Sequence, residues 1–322
     1  MKIVHLFSSK VFAGLERHVE ELSFEQSKTH EVTVIGPNFF SDKFRCNYMV
    51  IDTNAWRFSP FLRLNLNKTL SRLQPDIVHT HGQKMTSVIN ADLHFSTIHG
   101  TKKNISAFEK TDHVFGASAR SIEKISTLKS TILENWVDET RFQNFRKLSP
   151  EFFLYLGRLE PVKNPQRLIR AWQGIDKKLL IVGNGQLKDQ LITLIKELGL
   201  TKTIEIQDET DDVSSLLSKA SALLIPSDRE GSPKVLYESL FCKVPVLSTD
   251  CGNIADVLPN ESVSRVSDND FRDLIKRWVN NYEELYSSQI ETFKYVAQNN
   301  VLAAQALRVN KVYQEFLSKA SK

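Results

Sequence analysis

Short apolar runs alternate with amphipathic segments along the whole chain. The runs at 2–7, 31–35 and 48–51, followed by those in DIVHTH and FSTIH, have the length of strands buried in a parallel sheet. Between them, residues 15–28 place Leu15, Val19, Leu22 and Phe24 roughly on one side of a helix. A second helical stripe is formed by Leu62, Leu66, Leu70 and Leu73. Stacked βα units read this way. After KLSP at 147–150, which reads as a linker, the alternation resumes with strands ending at Gly157 and Gly183 and others over 203–206 and 222–225. Helices are expected over 212–219, 270–298 and 301–319.

With 322 residues, 41% apolar and 25% charged, the chain is long enough for two ordinary cores. Cys46, Cys242 and Cys251 form no spaced cluster, so neither a disulfide framework nor a zinc knuckle is expected, and a reducing cytoplasm suits the chain. The start, MKIVHLF, is too short and too quickly polar for a signal peptide. No run approaches the length of a membrane span, so any membrane contact would be peripheral. The net charge is +4, and residues 1–149 hold the surplus, with 20 Lys and Arg against 15 Asp and Glu, while the remainder holds 22 against 23. A basic face of this kind suits anionic lipid or an acidic acceptor as well as plain solubility. The leucine stripe is expected to pack on the sheet. Trp56, Arg57, Phe58, Phe61, Arg63, Lys68 and Arg72 around it would otherwise make an interfacial patch. No basic stripe interleaved with aromatics points to nucleic acid.

The densest chemistry lies in residues 222–249, ALLIPSDREGSPKVLYESLFCKVPVLST. A buried strand ends at Pro226, a polar loop follows, and Ser232 as N-cap with Pro233 at the first helical position opens a helix. Glu230 then stands at the helix mouth next to Gly231, and Glu238 projects from the second turn, on the order of 10 Å further along the axis. The amides around Lys234 and Val235, with the helix dipole, favour an anion such as a diphosphate. The same letters also fit a solvated helix start with a Lys234–Glu238 pair. In GRLEPVKN, Arg158 and Lys163 follow a strand and can clamp phosphate, Arg by a fork of donors and Lys as a point charge. Gly183 and Gly185 in VGNGQL allow a tight bend.

The loop SSKVFAGLER after the first strand lacks the G-x-G-x-x-G turn of dinucleotide folds, with only Gly14 present, which counts against a nicotinamide or flavin enzyme. His79 and His81 share a strand face, but no third ligand of suitable spacing follows, so a metal site is not expected. His99 follows the next strand, where α/β folds open toward ligands. The Ser267–Asp270 run SDND reads as a helix cap rather than a metal-binding Asp-x-Asp.

The block EGSPKVLYESLFCKVPVLSTDCGNIADVL resembles the Glu-x7-Glu motif of retaining glycosyltransferases of family 4, which have the GT-B fold. Gly157-Arg158 with Lys163-Asn164 resembles that family's donor phosphate pattern, His99-Gly100 its histidine that reaches the transferred sugar, and Asn135 and Asp138 its inter-domain turn, with Trp136 in place of glycine. At Ala13-Gly14 the chain departs from the family's paired glycines near the donor phosphate. The resemblance implies an α/β GT-B architecture, two Rossmann-like parallel-sheet domains facing a central cleft. An acceptor-binding domain would span 1–148, with residues 301–322 packing back on it, and a nucleotide-sugar domain 149–300.

The implied activity is metal-independent transfer of a sugar, with retention, from a nucleotide-sugar, UDP-linked in this reading, to a hydroxyl of a glycan or glycolipid. His99, Glu230, Arg158 and Lys163 would serve the chemistry. Gly14, Arg158, Lys163, Gly183, Gly185, Glu230, Gly231, Ser232, Lys234, Val235 and Glu238 would hold the donor, and no cofactor is required. Bacterial surface polysaccharide or lipopolysaccharide synthesis at the inner face of the cell membrane is the expected setting. A GT-B nucleotide-sugar epimerase or hydrolase, or a non-catalytic sugar-nucleotide-binding subunit, is the alternative.

Overall fold

The computed structural model describes residues 1–100 and 102–320. The chain forms two compact units, one made of Met1–Asn135 with the stretch from Leu302 onward, the other of Trp136–Val301. The division falls upstream of the KLSP segment at 147–150. Residues 321–322, assigned above to the final helix, lie outside the described residues.

The first unit carries a seven-stranded sheet of β1 (Lys2–Phe7), β2 (Glu31–Gly36), β3 (Asn47–Val50), β4 (Ile77–His81), β5 (His94–Ile98), β6 (His113–Gly116) and β7 (Ser130–Ile132). Its order is β3-β2-β1-β4-β5-β6-β7, and every pairing is parallel. Helices close both faces. The first helix, Gly14–Ser27, buries Val19 and Leu22 as its periodicity requires, and Pro60–Leu73 buries Leu62, Leu66 and Leu70 against the sheet. Ser59 starts that second helix by accepting the Leu62 amide. The helix Leu302–Ala320 also belongs to this unit and drives Tyr313, fully buried, onto Phe95 and Phe115.

The second unit carries six parallel strands: β8 (Phe152–Leu156), β9 (Leu179–Val182), β10 (Ile204–Gln207), β11 (Ala220–Ile225), β12 (Val246–Thr249) and β13 (Val263–Ser264). They run in the order β10-β9-β8-β11-β12-β13. Two apolar clusters sandwich the sheet, one around Trp172, Leu191, Leu224 and Phe271, the other around Leu154, Leu236, Leu240 and Val246. Both sheets are doubly wound. In each, strand order reverses beside the first strand of the unit, between β1 and β4 and between β8 and β11, and ligands of α/β folds bind beyond the carboxyl ends at such points.

Two local readings of the sequence need correction. The expected helix over 270–298 is three, Asp268–Trp278, Tyr282–Ser288 and Ile290–Asn299. Gln289 lies at the second break because its side chain is buried, accepting the Val246 amide and donating to the Val246 carbonyl, which bridges the helices to the sheet. The helix after β11 starts one residue later than expected, with Pro233 as N-cap and Lys234 first in the helix Lys234–Phe241. Ser232 does not cap it; its hydroxyl donates to Tyr237 Oη at 3.1 Å.

Candidate functional site

In the second unit, the loops after β8 and β11 meet at the switch point. Gly157 ends β8, and the chain turns through Pro161–Lys163 into the helix Pro165–Ala171, with Asn164 in the left-handed region at φ 44°. Asn164 Oδ1 accepts the Arg167 amide at 3.2 Å, capping that helix, while its Nδ2 donates to Asp228 Oδ1 at 3.2 Å. Arg167, 6% exposed, donates to Asp228 Oδ1 and Asp268 Oδ1, both at 2.8 Å, and to the Pro226 carbonyl at 2.7 Å. A buried guanidinium is tolerable only when its fork of donors is satisfied in this way. It fastens the β8 loop to the β11 loop, and the Asp228 amide adds a bond to the Val162 carbonyl at 2.9 Å.

That scaffold places Lys163 on Glu230. The ammonium donates to Oε1 at 2.7 Å and Oε2 at 2.6 Å, and the Ser227 hydroxyl donates to Oε1 at 2.7 Å. Glu230 is thus a largely buried carboxylate held by a cation and a hydroxyl, and Lys163 keeps a third N–H beyond the two it spends here. Glu238, buried on the helix Lys234–Phe241, accepts from Arg141 Nη1 at 2.9 Å. Lys234 turns toward Trp136, with Nζ donating to the Trp136 carbonyl at 3.2 Å and lying 5.3 Å from its ring centroid. The Lys234–Glu238 pair of the alternative reading is absent from the described ion pairs, and Glu238 pairs with Arg141 instead. Pro233 has no side-chain acceptor to offer, so no side chain caps the helix mouth from that position.

Arg158 is half exposed and pairs with Glu160 rather than with Glu230. Its backbone carbonyl accepts from Tyr155 Oη at 2.8 Å. Burial first, and the Glu230 charge next, push the Tyr155 phenol above its ordinary range, so the phenol stays a donor. Gly183 and Gly185 pack against this same loop. A Cβ on Gly183 would meet the Gly157 carbonyl oxygen at 2.0 Å, and one on Gly185 the Leu159 carbonyl oxygen at 2.4 Å. A Cβ on Gly252, at φ +64°, would meet the Gly231 carbonyl oxygen at 2.3 Å, so the Glu230–Gly231 turn also requires a glycine there.

In the first unit, Gly14 opens the first helix with no protein atom within 4 Å of a built Cβ. Glu16 accepts the Ala13 amide at 2.7 Å. The reading that His79 and His81 have no third neighbour is wrong. The β1–β4 register sets His5 opposite His79, and Phe7 opposite His81, so His5 joins them on one sheet face. His5, His79 and His81 offer ring nitrogens all within 4.8 Å, and so do His18, His81 and His99. Hydrogen bonds already engage much of this cluster. His79 Nε2 meets Thr97 Oγ1 at 2.7 Å and Nδ1 meets the Tyr313 hydroxyl. His5 Nδ1 meets His81 Nε2 at 3.0 Å, and His81 Nδ1 meets His99 Nε2 at 3.4 Å. Burial lowers the pKa of His5 to about 4 and of His99, with help from the Lys102 charge, to about 3, and holds His79 and His81 well below the ordinary value. These imidazoles are neutral at pH 7.

Sequence reasoning missed Arg141, Arg167, Ser227 and Gly252. Arg141 follows Asp138, which accepts the Thr140 amide at 3.1 Å, and Asp228 lies two residues before Glu230, but nothing local in either stretch says which partner it meets. SDND behaves as read: Ser267 accepts the Asp270 amide and caps its helix.

Comparison with known proteins follows the same division. Residues 137–294 match the family model described as Glycosyl transferases group 1, and residues 12–125 match Glycosyltransferase Family 4. Among curated proteins, the chain is 35% identical over 155 residues to N-acetylgalactosamine-N,N'-diacetylbacillosaminyl-diphospho-undecaprenol 4-alpha-N-acetylgalactosaminyltransferase of Campylobacter jejuni, which covers 44% of this chain and 42% of that protein. It is 25% identical over 267 residues to the glycosyltransferase MJ1178 of Methanocaldococcus jannaschii, covering 74% and 75%. The chain thus spans less than half the length of the first of these relatives. Among solved structures, HepE of Anabaena in complex with UDP superposes with a TM-score of 0.84 at 15% identity, covering 98% of this chain and 100% of that one. The lipopolysaccharide outer core galactosyltransferase WaaB, in apo form, gives 0.75 at 19% identity over 98% and 100%. These likenesses establish the fold. Residues 137–294 thus resemble the group 1 glycosyl transferases and residues 12–125 Glycosyltransferase Family 4, on a pair of Rossmann-like domains of the GT-B type.

Proposed function

We propose that the protein is a retaining glycosyltransferase that moves a sugar from a UDP-linked donor to a hydroxyl of a lipid-linked or polymeric glycan in bacterial surface polysaccharide or lipopolysaccharide synthesis. The observation that carries this is the Lys163–Glu230 pair at the carboxyl edge of β8 and β11, with Arg141–Glu238 on the adjoining helix. In this reading the third N–H of Lys163, the Arg158 guanidinium and the amides of Lys234 and Val235 take the diphosphate, whose charge grows as the glycosidic bond breaks. The carboxylate of Glu230, fixed by Lys163 and Ser227, orients the sugar. Glu238 keeps Oε2 for a ribose hydroxyl while Arg141 holds Oε1. Leaving-group charge goes to side chains and amides, so the reaction is metal-independent, with no cofactor beyond the donor. His99 in the first unit meets a hydroxyl of the reacting sugars.

Support comes from the matched families, from the undecaprenol-linked substrate for which the Campylobacter relative is named, and from the UDP held by the Anabaena structure. No helix among the described residues is long and apolar enough to cross a membrane. A lipid-linked acceptor would be met at the inner membrane face through the basic, aromatic margin around Trp56, Phe58 and Phe61. The test is a thermal-shift panel of UDP-, GDP- and CMP-sugars, followed by nucleotide release with and without undecaprenyl-diphosphate-linked acceptors. Nucleotide release that needs acceptor supports transfer. Turnover of donor alone indicates an epimerase or hydrolase, and binding without turnover a non-catalytic subunit.

A further inference from the structure

The buried histidines of the first unit form a directed chain. It begins at Asn310 on the helix Leu302–Ala320, whose Oδ1 accepts from Gln26 Nε2 at 2.7 Å. With its nitrogen donating to Asn310 and to the Tyr313 hydroxyl, Gln26 turns its carbonyl oxygen to His5 Nε2 at 2.7 Å. An amide oxygen can only accept, so His5 carries its proton on Nε2. A neutral imidazole has one proton, which leaves His5 Nδ1 as a lone pair, and the contact at 3.0 Å is then a bond donated by His81 Nε2–H. The same step repeats. His81 Nδ1 is a lone pair, and the contact at 3.4 Å is donated by His99 Nε2–H.

We propose that Gln26, anchored by Asn310, sets the tautomer of His99 through His5 and His81, placing the His99 proton on Nε2 and leaving Nδ1 as a hydrogen-bond acceptor for a substrate hydroxyl. The tautomer assignment stands on the first unit alone. The hydroxyl ligand rests on the glycosyltransferase reading above. Gln26, His5 and His81 are positioning residues, since they act on the ligand only through His99. Gln26, His5 and His81 are at most 1% exposed, so no competing water sets the direction from their side, and a reversed link would bury two donors or two lone pairs face to face. The lowered pKa values of His5, His81 and His99 agree with a chain that works only while every ring is neutral, because an imidazolium has no lone pair to accept the next bond. The sheet supplies the geometry: period-two alternation keeps His79 with His81, and Thr97 with His99, on one face, and the β4–β5 register sets His81 beside Thr97.

The test is long-range 1H–15N correlation on the full chain with 15N-labelled histidine at pH 7.5, with His99 assigned by loss of its signals in His99→Gln. The expected spectrum shows His99 Nε2 protonated and Nδ1 bare. In Gln26→Met, which keeps length but removes the acceptor, the two nitrogens should move toward an averaged position, and Gln26→Glu should restore the wild-type pattern. A wild-type His99 protonated on Nδ1 would overturn the inference even if neither variant folds. So would an unchanged spectrum in folded Gln26→Met, or stoichiometric zinc in the purified protein that is lost in His99→Gln, since the nitrogens would then be ligands. On the activity side, Gln26→Met should lower kcat about tenfold with the donor KM unchanged. Because the spectrum needs no turnover, a protein that shows the tautomer dependence but transfers no sugar would sink the glycosyltransferase reading and leave this one intact.

Discussion

Lys163 holds both carboxylate oxygens of Glu230, at 2.7 and 2.6 Å, although the two residues sit in loops that follow different strands. Glu230 is 8% exposed at its side chain and Lys163 21%, so the pair is mostly withdrawn from water. Lys163→Ala would leave a carboxylate with one hydroxyl donor and no counter-charge. The expected cost is about 3 kcal/mol, at the low end for a broken buried pair because the lysine side is partly solvated. That corresponds to a drop of roughly 6–12 °C in melting midpoint for a unit of this size. Turnover should fall roughly 10²-fold, as for a lost oxyanion donor. Adding Glu230→Gln should recover much of the midpoint and none of the turnover; recovery of both in the double variant would count against the clamp.

Glu238 and Arg141 are coupled differently. Glu238→Ala strands the Arg141 guanidinium, but that side chain is 23% exposed and can reach water, so the melting midpoint should move little. Donor binding should weaken by roughly 1.5–3 kcal/mol if a ribose hydroxyl loses a charged acceptor. Calorimetric titration with the donor identified by the nucleotide panel measures this directly. Equal affinity in wild type and variant would remove Glu238 from the donor site.

Much of this was legible in the sequence, because the parallel strands and the Glu230–Glu238 block are local patterns. What was not legible is pairing across distance. Arg167 reads as one more cation on an amphipathic helix, and only the fold shows it satisfied by Asp228, Asp268 and the Pro226 carbonyl. His5 sits in the plainest strand of the chain, KIVHLF, and becomes part of a cluster only once β1 is known to pair with β4 in a register that sets His5 against His79. The helix breaks near Asn281 and Gln289 were hidden because the apolar periodicity continues through them, while the reason for the second is a buried amide that hydrogen-bonds a strand.

Glycine substitutions separate two roles. Gly183→Ala puts a Cβ 2.0 Å from a backbone oxygen at φ +153°, so the loop carrying Arg158 must move. A loss on the order of 2 kcal/mol or more is expected, together with weaker donor binding. Gly14→Ala meets nothing within 4 Å and sits at a helix start, so it should be neutral or stabilise by up to about 1 kcal/mol. If Gly14→Ala leaves the melting midpoint unharmed yet weakens donor binding, a ligand rather than the chain's own packing requires that glycine.

The helix Pro60–Leu73 buries its leucines and leaves the neighbouring aromatics outside. Trp56 is 69% exposed and Phe61 76%, beside Phe58 and Leu64, with Arg57 4.7 Å from the Phe58 ring. Large exposed aromatics among cations fit an anionic bilayer surface. Vesicles containing phosphatidylglycerol should retain the protein at low salt and release it as salt rises. Trp56→Ser with Phe61→Ser should abolish retention without changing the melting midpoint. Retention by neutral vesicles alone, or none by either, would remove the membrane from the proposal.

Acidification should act on the first unit through its histidines. Burial lowers His5, His94 and His113 from the ordinary 6.5 to about 4, and His99 to about 3. Asp112 beside His94 and Glu315 beside His113 pull the other way, and burial outweighs both. The remaining neighbours of the cluster, His18 on the first helix and Tyr313 on the last, add no negative charge, since burial also keeps the Tyr313 phenol protonated. Above pH 6.5 both folded and unfolded chains hold these rings neutral, so the linkage contributes no pH dependence. Between about pH 6.5 and 4 the unfolded chain binds protons that the folded chain refuses, and stability falls as pH falls. Calorimetric scans should therefore show the transition assigned to this unit moving down steeply from about pH 6.5 to 4, with several protons taken up on unfolding. Replacing His5 and His99 by glutamine should reduce the proton uptake, and a midpoint that stays flat over this interval would mean that the rings are solvated enough to titrate normally.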